Sequence, residues 1–282
     1  MKKIKEYKIT GSPRSVKEVL LSEIGLSQSR LKKIKYCGIL VNGERVTVRH
    51  NVCDGDVITV FAPDEVSSKI LPVDTPLDII FEDDDIIAVS KPTSMPIHPS
   101  IGNHLVTLAN AIMAYYKDSA FVFRAVNRLD RDTSGIVLIA KTAEAAYKLS
   151  QSMKRGEFTK EYIAVIDGVP SKNSGTINAR IARKEEGNIK RVVRDDGKEA
   201  TTHYEVIKSE NGRSLVRIRI ETGRTHQIRV HMAHIGHPLT NDFLYGNGKP
   251  GDVYCLHAAK LAFPHPATTE CIVLESTPPF DL

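Results

Sequence analysis

Five apolar residues, Ile136-Val137-Leu138-Ile139-Ala140, follow directly on the octet Arg128-Leu129-Asp130-Arg131-Asp132-Thr133-Ser134-Gly135. This junction constrains the fold more than any other stretch of the chain. The apolar run is short, rich in β-branched residues and bounded by Gly135 and Lys141, so it predicts a buried strand. The charged octet must then be the loop that leads into that strand, and such loops are where a rigid scaffold tends to hold reactive groups. Asp130 stands between Arg128 and Arg131. Positive charge nearby keeps a carboxylate ionised, and an ionised carboxylate can serve as nucleophile or base. Short clusters of Asp, Ser, Thr and Gly also build turns and caps, so the octet by itself leaves a structural reading open.

The 282 residues suffice for two domains. Hydrophobic residues at 41% and charged residues at 26% match a soluble globular protein. No apolar run approaches the roughly 20 residues that span a bilayer. The basic start, Met1 to Glu6, lacks the apolar core of a signal peptide. The expectation is a cytoplasmic protein without membrane attachment, monomeric by default. Cys37, Cys53, Cys255 and Cys271 are scattered without Cys-x-x-Cys spacing, which indicates neither a zinc ribbon nor a disulfide framework.

Charge is unevenly placed. Residues 1–62 hold 12 Lys and Arg against 6 Asp and Glu, whereas the whole chain carries a net charge of only +5. The positive excess therefore lies in the first fifth of the sequence, as expected of a small module that meets a polyanion. Val16, Val19, Leu20 and Ile24 recur at helical spacing. Ser27-Gln28-Ser29-Arg30 suits a second helix start. Arg30, Lys32, Lys33 and Lys35, interleaved with Leu31 and Ile34, give that helix a cationic outer side. Gly38 to Val41 then reads as a strand ending in an Asn42-Gly43 turn, and Val57 to Val60 as a closing strand after Asp54-Gly55-Asp56. The pattern resembles the small RNA-binding module of ribosomal protein S-four over about fifty residues. That resemblance makes Arg30, Lys32, Lys33 and Lys35 candidate RNA contacts, with a solvated charged face as the plainer reading. Residues 63–76, with Pro63, Ser67, Ser68, Pro72 and Pro76, read as a linker, which leaves 77–282 as a second domain.

Within 77–282, Leu77 to Phe81 and Ile86 to Ser90 are strands flanking Glu82-Asp83-Asp84-Asp85. The four acids suit a solvated turn better than a metal site. Residues 104–116 and 143–154 read as helices, the second with Ala143, Ala146, Leu149 and Met153 on one stripe. Lys160 to Val165 alternates as a strand, and further strands fall at 199–207 and 214–221. A second dense segment runs from Thr222 to Met232, including Arg224, His226, Gln227, Arg229 and His231. Gly223 and Thr225 suit a turn into a helix, and Gly236 suits its end. His226, His231, His234 and His237 are spaced by five, three and three residues. That spacing does not gather three metal ligands on one helical face, so they are expected to be structural or RNA-facing.

Taken in order, these segments resemble the RluA family of pseudouridine synthases, which act on large-subunit ribosomal RNA. The family pattern His-Arg-Leu-Asp-x-x-Thr-Ser-Gly matches Arg128 to Gly135, with Asn127 where the family has His. Lys91-Pro92 through His98-Pro99 matches a Lys-Pro-x-Gly segment, with Ser94 at the Gly position. Lys160-Glu161-Tyr162-Ile163-Ala164, Thr222-Gly223-Arg224-Thr225-His226-Gln227-Ile228-Arg229-Val230-His231 and Leu256-His257-Ala258 match three more. His237-Pro238-Leu239, Asp242 and Tyr245-Gly246 extend the likeness.

The resemblance implies an RNA pseudouridine synthase with Asp130 as nucleophile or proton acceptor. It further implies Arg229 as that carboxylate's partner, and Tyr162 and Leu256 around a flipped-out uracil. Tyr162 also becomes a candidate for proton removal. Arg128 would fill or hold the space the base vacates, and Arg224 would add charge to the substrate site. No metal or organic cofactor is implied, because bond breaking and making are internal to the substrate. The partner is RNA, ribosomal in the first instance and transfer RNA as the variant. The fold implied is α+β, a mixed, mainly antiparallel central sheet with a catalytic cleft and outer helices, plus a small α/β N-terminal RNA-binding domain. Two other readings compete. Asp130 and Asp132 resemble the paired acids of magnesium-dependent phosphotransferases, although Arg124, Asn127 and Arg128 interrupt the strand such a loop needs. A non-catalytic RNA-binding protein is the third.

Overall fold

A computed structural model describes residues 2–26, 28–35, 38–62, 70–100 and 104–282, with the side chains of 2–5, 29, 30, 33 and 62 outside that description. The chain divides into two compact units, Met1–Ser67 and Ser68–Leu282.

The first unit contains β1 (Lys2–Lys8), β2 (Arg14–Ser15), α1 (Val16–Glu18), a wider helical turn Val19–Glu23, α2 (Gln28–Ile34), β3 (Ile39–Val41), β4 (Glu44–Arg45), β5 (Asn51–Val52) and β6 (Val57–Ala62). Ser15 and Glu18 close a reciprocal capping box at the start of α1. The sheet runs β1-β6-β3-β4. Asn42 and Gly43 both have positive φ, at 51° and 86°, as the tight β3–β4 turn requires. Asn42 also accepts the Val57 N–H and donates to Asp56, tying this turn to β6. Val16, Val19, Leu20, Leu31, Ile34, Ile39, Ile58 and Val60 form the core. Of the candidate RNA contacts, Lys32 is exposed and Lys35 half-buried. The side chains of Arg30 and Lys33 lie outside the described residues, as do Ser27 and residues 63–69 of the expected linker.

The second unit contains β7 (Asp78–Glu82), β8 (Ile86–Lys91), α3 (Leu108–Tyr115), β9 (Ser134–Ala140), α4 (Ala143–Lys154), β10 (Thr159–Asp167), β11 (Ser174–Asn178), β12 (Ile181–Arg183), β13 (Arg191–Val193), β14 (Thr201–Glu210), β15 (Arg213–Ile220), α5 (Gln227–His234), β16 (Leu256–Pro264) and β17 (Cys271–Glu275). Nine strands make one sheet in the order β11-β14-β15-β10-β16-β9-β8-β7, with β17 on the far part of β16. The fold is therefore the expected α+β type with a mixed, mainly antiparallel sheet. Neighbouring strands are antiparallel except β16 and β9, which meet in parallel at His257 with Ser134 and Ala258 with Gly135. This junction lies at the C-terminal end of the Asp130 loop.

Both faces of the sheet centre are covered, so every residue of β9 is buried. Val137 and Ile139 join one core with Val89, Tyr162, Ile218 and α3. Ile136, Leu138 and Ala140 join the other with Ala145, Leu149 and Phe263 beneath α4. Helix α3 starts four residues later than the expected 104–116, because Thr107 and Asn110 form a capping box there. Asn110 also donates to Leu71 and accepts the Val73 N–H through its carbonyl, which fastens residues 71–73 to this unit. Of the four acids, Glu82 ends β7 and Asp83 to Asp85 form the turn, in which Asp83 accepts the N–H groups of Asp85 and Ile86. No helix among the described residues is long and apolar enough to cross a membrane.

Candidate active site

The approach to β9 is built before Asp130 is reached. Val126 donates to Leu138, and Ala140 donates to Arg124, so the segment 124–126 runs beside the strand. Asn127 continues that pairing with its side chain: its amide donates to the Ile136 carbonyl at 2.9 Å and accepts the Leu138 N–H at 2.8 Å. Backbone beyond Asn127 is thereby released from the sheet. Asp130 sits at the head of a turn closed by the Thr133 N–H on the Asp130 carbonyl. Lys91, fully buried at the end of β8, donates to the carbonyls of Arg131 and Pro92 at 2.9 and 2.8 Å. Thr133 Oγ1 lies 3.1 Å from the Tyr254 hydroxyl, and Ser134 Oγ lies 2.8 Å from His257 Nδ1. The loop is thus pinned on both flanks while the Asp130 carboxyl stays 30% exposed.

That carboxyl faces a cavity of about 620 Å³. Its apolar side comes from three adjacent strands: Ile220 at the end of β15, Tyr162 in β10 and Leu256 at the start of β16. Tyr162 is in register with Ile218 on one side and Ala258 on the other, so its ring rises from the sheet centre. Ile97 and His98 add to the lining from the segment after β8, and His226, Ile228 and Arg229 from the beginning of α5. A cavity of this size accepts a small ligand or a single extruded nucleotide. Burial, reinforced by the charge of Asp130, pushes the Tyr162 phenol well above its ordinary value. Tyr162 therefore meets the cavity as a neutral phenol at physiological pH.

The electrostatics centre on Arg229. Its Nε and Nη2 donate to Asp242 at 2.7 and 2.8 Å in a two-pronged, fully buried pair. Its Nη1 is 3.6 Å from Asp130 Oδ2. Arg229 thus holds Asp242 closely and Asp130 at longer range. The rings of Tyr254 and Tyr245 lie 4.2 and 5.0 Å from the guanidinium carbon. Burial opposes the charge on Arg229, but Asp242, Tyr254 and Asp130 outweigh it and keep the group protonated. His226 Nε2 lies 3.9 Å from the same Asp130 oxygen. Gln227 locks the entry to α5, accepting from Thr222 and the Arg224 N–H and donating to Thr201 and Thr202.

All six candidate residues of the second unit, Arg128, Asp130, Tyr162, Arg224, Arg229 and Leu256, line this one cavity. Arg128 and Arg224 are exposed at its edge, the latter with Nε donating to the Glu199 carbonyl. Four further participants escaped the sequence reading of the site: Lys91, His226, Asp242 and Tyr254. The first three fall in segments that the family resemblance already highlighted, whereas Tyr254 carries no local signal. Asp132 is buried and gripped by both prongs of Arg131 at 2.9 and 2.8 Å, which is not the arrangement of a metal-binding partner to Asp130. His231 is structural, with its ring between Thr202 and the Ala179 carbonyl.

An aspartate presented to a nucleotide-sized slot by a mixed sheet, next to a buried Arg–Asp pair, defines the class. The model of the RNA pseudouridylate synthase family matches residues 85–234, more than half of the chain. An uncharacterised RNA pseudouridine synthase of Bacillus subtilis, YjbO, is 38% identical over 267 residues, covering 92% of this chain and 94% of the relative. The ribosomal large subunit pseudouridine synthase D of Escherichia coli K12 is 39% identical over 266 residues, covering 85% and 79%. Among solved structures, human RNA pseudouridylate synthase domain containing 1 superposes with a TM-score of 0.62 at 28% identity, over 73% of this chain and 84% of that one. The chain belongs to the RNA pseudouridylate synthase family, and its enzymatic class is RNA pseudouridine synthase.

Proposed function

We propose that this enzyme isomerises a uridine of large-subunit ribosomal RNA, with Asp130 as the reacting carboxylate. The reading is carried by one observation: the partly exposed Asp130 carboxyl opens onto a cavity walled by Tyr162, Ile220 and Leu256. A stacked uridine cannot reach such a carboxyl, so the nucleotide is turned out of the RNA. Arg128, exposed at the edge, takes the place the base leaves. Tyr162 and Leu256 sandwich the uracil, and Arg229, 3.6 Å from Asp130, aims the carboxylate. Arg224 meets the phosphates beside the target. The N1–C1′ bond breaks, the uracil turns, and C5 joins C1′. The hydrogen on C5 leaves to solvent, and N1 takes up a proton. Asp130 serves by attack at C1′, by attack at C6 or by taking the C2′ proton. No redox partner enters this balance.

The ribosomal choice follows the relatives named for that RNA and the basic first unit. We read residues 1–62 as an RNA-binding module akin to that of ribosomal protein S-four, with Arg30, Lys32, Lys33 and Lys35 on the phosphates. We take the enzyme to act as a monomer in the cytoplasm.

The test is tritium release from RNA labelled as 5-³H-uridine. Asp130→Asn abolishes release while filter binding of the same RNA stays within about two-fold. Undiminished release by the variant overturns the assignment. Mapping pseudouridine in ribosomal and transfer RNA from cells with and without the protein decides between the two RNAs.

A further inference from the structure

The ring of His226 has a partner at each end, and together they fix its proton. Nδ1 lies 2.8 Å from the Tyr245 hydroxyl. That hydroxyl already accepts the backbone N–H of Arg191 at 2.8 Å. A phenol oxygen so engaged has its own proton to give, and Nδ1 is the acceptor in reach. At the other end Nε2 faces Asp130 Oδ2. A carboxylate only accepts, so it asks for a proton on Nε2. The two ends therefore agree on one neutral tautomer, with Nδ1 bare and the proton on Nε2.

The surroundings keep it neutral. Burial lowers the proton affinity of the ring, Asp130 and Asp242 raise it, and Arg229 and Arg191 lower it. Tyr245 is held protonated by burial, its phenol pushed up to about 12. It is anchored in turn, since Asp242 Oδ1 accepts its backbone N–H. The backbone of His226 adds a second sign that the side chain is deliberately aimed. It sits in the left-handed region at φ 57°, rare for a residue with a side chain. Although it stands at the head of α5, its side chain does not cap that helix.

We propose that His226 is a positioning residue for Asp130: the Arg191–Tyr245 pair locks its ring with the proton on Nε2, and that N–H, together with Arg229 Nη1, aims the carboxylate at the substrate. The inference rests on the reading of Asp130 as the reacting group. The 3.9 Å separation exceeds a hydrogen bond, and catalytic contacts of this kind commonly tighten when substrate arrives. Because Arg191 belongs to β13, the lock also ties the Asp130 environment to the β12–β13 hairpin.

Two measurements test the proposal. Long-range ¹H–¹⁵N spectra of the wild-type enzyme, with the His226 signals identified by their loss in His226→Gln, should show the Nε2–H tautomer at neutral pH. In Tyr245→Phe the same ring should lose that single state and take up a second proton at higher pH than the wild type. In steady-state tritium release, His226→Ala should lower kcat at least ten-fold with KM for RNA changed less than about two-fold, and His226→Gln, which keeps a donor, should recover part of the loss. A wild-type ring protonated on Nδ1 overturns the lock. A His226→Ala enzyme, or a Tyr245→Phe enzyme should the alanine variant not fold, with wild-type kcat overturns the positioning role. A wild-type enzyme that releases no tritium overturns the underlying reading instead, and the ring spectrum separates that failure from a failure of the lock.

Discussion

Gly135 and Ala258 approach so closely that a Cβ on the glycine would stand 2.3 Å from the Ala258 carbonyl oxygen and 2.6 Å from its nitrogen. Gly135 also has φ at 106°, where side chains are strained whatever the space. The approach lies at the parallel junction of β9 and β16, which holds the Asp130 loop beside Leu256. Gly135→Ala must either part the two strands or flip the peptide. The expected loss is about 3 kcal/mol or more, a fall of roughly 6–12 °C in Tm. Thermal denaturation followed by circular dichroism measures it, and a Tm within about 2 °C of wild type would contradict this account.

Asp242 is the second buried dependency. Both its oxygens are in use: Oδ2 accepts Arg229 Nε, and Oδ1 accepts Arg229 Nη2 and the N–H groups of Leu244 and Tyr245. In Asp242→Asn the amide nitrogen opposes a guanidinium N–H, and Arg229 is left buried without its counter-charge. Breaking a buried pair in this way costs about 3–5 kcal/mol. The freed Arg229 should also draw closer to Asp130 and misalign it, so kcat falls by about 100-fold. Urea denaturation and tritium release on the same preparation check both effects. Unchanged stability would mean that the pair is not a structural support.

The contrast between these residues and Asp130 marks what is legible in the chain. The strand at 136–140, the Asn42-Gly43 turn and helix α4 are readable because their causes are local: an apolar run, two residues tolerant of positive φ, and a one-sided stripe. The Asp130 loop is readable because its charges crowd into eight residues. Lys91, His226, Asp242 and Tyr254 reach the site from β8, the start of α5 and the 241–254 segment, and each acts through a partner distant in sequence. Asn127 likewise reads as a departure at the head of the motif, yet its amide completes the β9 ladder from Ile136 to Leu138. No periodicity or composition reports partnerships of that kind. The late start of α3 has a local reason, since apolar Leu105 and Val106 mimic a helix that the Thr107 cap begins only at Leu108.

The first unit gives a prediction through salt. If the lysines at 32, 33 and 35 lie on phosphates, replacing Lys32, Lys33 and Lys35 with Gln reduces counterion release. The slope of log K against log salt should then shrink by about one for each phosphate no longer neutralised. Filter binding between about 50 and 200 mM salt measures the slope. A triple variant with the wild-type slope would place the RNA anchor elsewhere.

Lys91 links stability to pH with a defined sign. Burial lowers its ammonium to about 8, the charges of Asp132 and Asp130 offsetting part of the shift. In the unfolded chain a lysine titrates near 10.4. Below pH 8 both states hold the proton, so the burial penalty is complete and flat. Between about 8 and 10 the unfolded state holds a proton that the folded state has released, so stability rises with pH. The neutral amine still has two N–H groups, enough for the Arg131 and Pro92 carbonyls it serves, so the loop stays fastened through the titration. Lys91→Met removes this contribution together with the two hydrogen bonds. Tyr162 and Tyr254, whose phenols are pushed up by burial, act in the opposite sense only above about pH 10, so the comparison belongs below that. From about pH 7.5 to 9.5 the stability of wild type relative to Lys91→Met should increase by on the order of 1–2 kcal/mol. Urea denaturation at a series of pH values reads this difference directly, and two curves running parallel would show that Lys91 does not titrate there.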